Sequence, residues 1–106
     1  MIKVRVQTVR NCIQTMKLKG HADSAPHGQD LVCAAVSSMA VGTLNALAEM
    51  CENSFTASMD AGDIEIHITN LQDSDCQLIC RTFLIQLKTI EESYSKYIQI
   101  QQEVSS

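Results

Sequence analysis

Two stretches of this chain alternate apolar and polar residues with a period of two. Ile2, Val4 and Val6 are interleaved with Lys3, Arg5 and Gln7, and Ile64, Ile66 and Ile68 with Glu65 and His67. Successive strand side chains point to opposite faces, so this period marks half-buried strands and is incompatible with the apolar stripe of a helix. Each stretch has a companion. Arg10-Asn11 turns the first into a run in which Cys12, Met16 and Leu18 point one way and Lys17 and Lys19 the other, while Asp60-Ala61-Gly62 joins Phe55, Ala57 and Met59 to the isoleucines. The chain is thus predicted to form two hairpins. Glu65 and His67 face away from the isoleucines, which makes His67 a solvated strand residue rather than a base or a ligand.

A helix follows each hairpin. From Leu31 to about Met50 the residues are small or apolar on nearly every side, which predicts a helix buried on several faces. Farther on, Ser74 and Gln77 fit a capping box. Beyond them Ile79, Phe83, Leu87, Ile90, Tyr94 and Tyr97 form one helical stripe. If helical to residue 100, this element would be about 39 Å long, more than the roughly 34 Å diameter of such a domain, so its far end is expected on another subunit. The alternative is fraying after about Glu92. The predicted fold is α+β: a two-layer ββαββα domain whose antiparallel sheet carries both helices on one face. It is read as one domain over residues 1–106, with a flexible loop at 22–29, where the only proline lies, and a tail from about 101.

At 45% hydrophobic and 19% charged, the composition is that of an ordinary soluble globular protein. Met1 to Val6 lacks the apolar run of a signal peptide, and the stretch from Leu31 to Leu44 is too short to span a bilayer. A cytoplasmic protein with no membrane contact is expected. The five cysteines are odd in number and contain no CxxC, which fits reduced thiols. Cys76 and Cys80 share a helix face, but nothing completes a metal site around them, and they read as core thiols. No cofactor fingerprint is present. The net charge of −4 is unevenly spread: Lys3, Arg5, Arg10, Lys17 and Lys19 fall in the first 19 residues, and all 12 acids come later. Without interleaved aromatics, that basic run reads as a solvated strand face with no direct nucleic-acid contact.

The chemistry-bearing residues flank the loop. Asp30 is a good N-cap, which would place Cys33 third in the helix, where free N–H groups and the helix dipole favour an anion. His21, twelve residues earlier and just past the first hairpin, is placed to take the thiol proton and return it to a leaving amine. The same N–H groups would hold the oxyanion of an acyl intermediate. Ser37 lies one turn beyond Cys33, where it either bonds near the site or bonds back to its own helix.

Gly20-His21-Ala22, the loop with Gly28, and the block from Asp30 to Ser37 (Asp-Leu-Val-Cys-Ala-Ala-Val-Ser) together resemble the signature of the bacterial ribosomal-processing cysteine proteases. Leu31 departs from the more usual isoleucine, and His27 adds a second imidazole to the loop. The resemblance implies a homodimeric bacterial enzyme in which Cys33 is the nucleophile and His21 the general base and acid, with no cofactor. Its implied substrate is the N-terminal extension of large-subunit ribosomal protein number twenty-seven, cut after phenylalanine and before a small residue. The bulky aromatic would then sit in an apolar pocket. Two other readings stay open: a non-enzymatic dimeric module bound to the ribosome or RNA, and a thiol-redox protein with a resolving cysteine near Cys33.

Overall fold

Alternating apolar residues build the sheet, and a strand unforeseen in the sequence completes it. A computed structural model describes residues 1–20 and 27–105, excluding the side chains of residues 27–29. Its elements are β1 (Ile2–Val9), β2 (Cys12–Lys19), α1 (His27–Met50), a 3-10 turn (Glu52–Ser54), β3 (Phe55–Asp60), β4 (Asp63–Ile68), α2 (Ser74–Tyr94) and β5 (Ile98–Val104). The sheet order is β3-β4-β2-β1-β5. Both hairpin turns have two central residues at positive φ: Arg10 and Asn11 in one, Ala61 and Gly62 in the other. That backbone matches the right-handed twist of the strands it joins.

The α+β architecture stands, with its element order corrected to ββαββαβ. The second helix stops at Tyr94 instead of running on to residue 100, and residues 98–104 form a strand where a tail was expected. β5 pairs parallel to β1, with Ile98 beside Ile2 and Ile100 beside Val4, so the sheet is mixed rather than antiparallel. The helical spacing of Tyr94 and Tyr97 concealed this reversal. Ile98 and Ile100 also alternate with Gln99 and Gln101, and a turn at residues 95–97 separates the two periods. The argument that an overlong helix must reach a second subunit therefore falls away.

A bulge sets which side of β2 meets the core. The β1–β2 register shifts between Gln7, opposite Thr15, and Thr8, opposite Ile13, which leaves Gln14 extra on β2. Side-chain parity inverts there. Ile13 is consequently buried, and Cys12, expected on the core face, is only half-buried. Beyond the bulge, β2 has lost β4 as a neighbour, since their pairing begins at Thr15. Gln77 takes over: its Oε1 accepts from the Ile13 N–H and its Nε2 donates to the Ile13 carbonyl, both at 2.8 Å. Gln77→Ala strips both partners from a half-buried peptide and is expected to cost about 1–3 kcal/mol in chemical denaturation. A loss within error would show that water replaces the clip.

The core is one cluster that joins the buried sheet face to both helices. Val4, Val6, Met16, Leu18, Ile66 and Ile98 come from the strands, Val32, Val36, Ala40 and Leu47 from α1, and Cys76, Cys80, Phe83 and Leu87 from α2. α1 is buried along this single stripe rather than on several faces, leaving Leu31, Val41 and Met50 exposed. Over Asp30–Met50 it is long and apolar enough to cross a membrane, contrary to the length expectation, yet its stripe belongs to this core.

The cap of α2 is Asp73 rather than Ser74. Its Oδ1 accepts from the Cys76 N–H at 3.1 Å, and its Oδ2 accepts from the Ser54 hydroxyl at 2.6 Å. These bonds, the Ser54 one first, hold the Asp73 carboxyl below its ordinary value of 3.8. A depressed folded-state value contributes stability above the ordinary one, which is lost as pH falls through the lower folded value. Asp73→Asn should therefore weaken the fold at neutral pH and lose less of its remaining stability below pH 3.8. Urea midpoints measured from pH 6 to 2 would test this; parallel curves for the two proteins would refute it.

Candidate active site

Cys33 stands where α1 crosses the end of the first hairpin. It is 9% exposed and lines a cavity of about 120 Å³ bounded by Ile2 and Leu18 from the sheet, Val36 and Ser37 from α1, and Met59, Gly62 and Ile64 from the second hairpin. Gly20, the residue before His21, completes the wall. The lining is mainly apolar, with the Ser37 hydroxyl beside the thiol. It suits a hydrophobic side chain held against a thiol.

The helix begins earlier than its sequence suggested. α1 starts at His27, so Gly28 and Asp30 lie in its first turn and Asp30 is not the N-cap. Cys33 becomes the seventh helical residue, where its amide belongs to the i→i−4 ladder instead of the free first turn. The dipole's influence is largely confined to that first turn and contributes less to an anion at Cys33 than expected. An acidic residue at the helix start is favourable in its own right, so Asp30 serves the helix without capping it. His21 and residues 22–26 of the expected flap lie outside the described residues, as does the side chain of His27. Ser37 is exposed on the cavity wall.

Spacing along the chain gave no sign that Met59, Gly62 and Ile64 approach Cys33. They come from a hairpin whose alternation was plain, but its placement beside α1 depends on sheet order, which is a long-range property. The other thiols differ in setting. Cys76 and Cys80 have no exposed surface, and burial, the first cause in each case, pushes both upward, Cys80 to about 12. Cys51 beside them is buried too, and all five cysteines are free. No cluster of metal-ligating groups occurs among the described residues. Alkylation by iodoacetamide, mapped by peptide mass, should reach Cys33 and half-buried Cys12 well before Cys76 and Cys80; uniform labelling would contradict the burial pattern. His67 faces the open side of the sheet, its Nε2 3.5 Å from Glu65, as its alternation required.

A thiol on the wall of a mainly apolar cavity, carried by a two-layer α+β domain, is an arrangement suited to cysteine chemistry. A family model described as cysteine protease Prp matches residues 1–99. Ribosomal processing cysteine protease Prp of Staphylococcus aureus is 33% identical over 85 residues, covering 78% of this chain and 80% of that one. The Bacillus subtilis protein of the same name is 30% identical over 94 residues, covering 83% of this chain and 84% of its own. The structure of S. aureus Prp with a substrate peptide has a TM-score of 0.88 at 29% identity, over 97% of this chain and all of that one. A protein from Streptococcus mutans reaches 0.89 at 26% identity, over 99% and 96% of the two chains. The chain belongs to the Prp family of cysteine proteases. It is a cysteine protease.

Proposed function

We propose that this protease matures a ribosomal protein: it removes the N-terminal extension of large-subunit protein number twenty-seven, cutting between phenylalanine and a small residue. The observation that carries the reading is the apolar cavity against Cys33, in a chain whose relatives are named for ribosomal processing and one of which is solved with a substrate peptide. In this mechanism His21 takes the Cys33 proton and the thiolate attacks the scissile carbonyl carbon. The tetrahedral oxyanion collapses as His21 returns the proton to the departing amine, leaving a thioester that water hydrolyses. Because the Cys33 amide belongs to the helical ladder, the oxyanion is served by N–H groups outside it. Phenylalanine before the cut fills the cavity among Leu18, Val36, Met59 and Ile64. The small residue after the cut leaves room for His21 beside the sulfur.

The test is cleavage of a synthetic peptide bearing Phe-Ala, with the cut located by mass spectrometry. A single cut after phenylalanine is expected, with at least tenfold slower turnover when that residue is replaced by lysine, because an unpaired charge is poorly held among aliphatic side chains. Indifference to the lysine would remove the apolar cavity from the account. The enzyme is further proposed to act in the bacterial cytoplasm as a homodimer. The groove between the helices, lined by Met39, Ala46, Ile79 and Phe83 beside exposed Leu78, offers an apolar face for a second copy. Leu78→Glu should then yield a monomer by light scattering, and an unchanged mass would place the interface elsewhere.

A further inference from the structure

Against the sequence expectation of a merely solvated strand face, we propose that the open face of the sheet binds duplex RNA through its phosphates, using Lys3, Arg5, Lys17 and Lys19. Strand register places Lys3 opposite Lys19 and Arg5 opposite Lys17, two like-charged pairs that oppose the pairing carrying them. β5 adds Gln99 beside Lys3 and Gln101 beside Arg5. These six side chains, together with Val4, Ile100 and Glu91 of α2, line a concavity of about 670 Å³, while Ile2 and Leu18 beside them on the strands are buried toward Cys33. Among the described residues the only acid paired with these cations is Glu65, 3.9 Å from Lys17. Glu91 also lines the concavity, but its Oε2 accepts the Ile100 N–H at 2.6 Å. Among the described residues four cations therefore meet two carboxylates, Glu65 and Glu91, and only Lys17 is paired, on a chain whose net charge is −4.

Charge of this kind calls for a polyanion, and the neighbouring side chains narrow the choice. No aromatic residue lines the concavity, so there is no platform for unpaired bases. No exposed large apolar side chain is present to enter a lipid surface. A phosphate backbone held by the four cations, with glutamine amides reaching 2′-hydroxyls across a shallow minor groove, fits the charge and the amides of the face better than either alternative. The choice of RNA over DNA rests on the ribosomal-processing reading above; the phosphate contacts do not.

Fluorescence anisotropy with a 20-base-pair RNA duplex of arbitrary sequence tests the proposal. Four phosphate contacts predict a log affinity against log salt slope of about −3 to −4 for the intact protein. The fourfold variant K3Q/R5Q/K17Q/K19Q should bind at least tenfold more weakly with a slope near zero while cleaving peptide at the normal rate. Glu65→Gln, which removes the one paired acid, should tighten binding about twofold. Cys33→Ser should bind RNA normally, so a failure of the protease assignment leaves this result intact. Unchanged binding by the fourfold variant, or weaker binding by Glu65→Gln, would overturn the proposal. So would equal affinity for a DNA duplex, polyglutamate or phosphatidylserine vesicles.

Discussion

Cys33→Ser is expected to lower kcat/KM on a Phe-Ala peptide by at least about a thousandfold, because in the proposed mechanism the sulfur both attacks the carbonyl and leaves as the better nucleofuge. His21→Ala should cost about a hundred- to ten-thousandfold, the usual worth of a positioned acid and base. The decisive comparison is the double variant. If the pair acts as one unit, removing both groups should cost little more than removing Cys33 alone, since a base with no thiol to serve contributes nothing further. Additive losses would mean that His21 acts on something other than this sulfur. His27→Ala supplies the control: a loss matching that of His21→Ala would transfer the role of base to the second imidazole. The helix geometry sharpens the expectation for His21. With Cys33 in the second turn of α1, the helix start offers little to that position, and the proposed mechanism leans on the proton acceptor instead.

That shift of the helix start shows where sequence reasoning stops. The block from Asp30 to Ser37 looked like a capped helix because aspartate before an apolar run is the usual cap pattern, and Pro26 fitted a preceding loop. A further turn from His27 to Gln29 had no apolar periodicity by which to announce itself. The hairpins were legible because their period is local and their turns use residues that accept positive φ. What pairs with what was not. β5 was absorbed into a helical stripe, and the bulge at Gln14 moved Ile13 to the core through an inversion that strict alternation cannot express. The proposed nucleophile stands in a local motif, while part of the cavity beside it comes from a second hairpin some thirty residues away and became apparent only with the sheet order.

Gly20 joins these two levels, and Gly20→Ala should be the most damaging small substitution in the chain. Its φ is +99°, a conformation that side-chain-bearing residues rarely adopt, and a Cβ built there would lie 2.2 Å from the Met1 carbonyl oxygen and 3.3 Å from the Ile2 Cα. Both neighbours are backbone, so no rotamer change relieves the contact. Strain of this kind costs about 1–3 kcal/mol, and forcing the first residues of β1 aside adds about 1–3 more. For a domain of this size a total near 3 kcal/mol corresponds to a Tm lower by roughly 15 °C. An unchanged melting temperature would mean that the chain start moves freely, and the close approach would lose its structural meaning. Activity should fall further than stability. Gly20 and Ile2 both line the cavity beside Cys33, and the proposed base His21 follows in sequence, so a displaced strand end is expected to reshape the cavity and disturb the proposed dyad together. Measured well below the lowered Tm, on protein that is fully folded, kcat/KM should still be reduced at least tenfold, the effect expected when reacting groups are misplaced by a fraction of an ångström to one ångström. Full activity in the folded variant would separate the glycine's structural role from the site and show that the dyad tolerates movement at the end of β2.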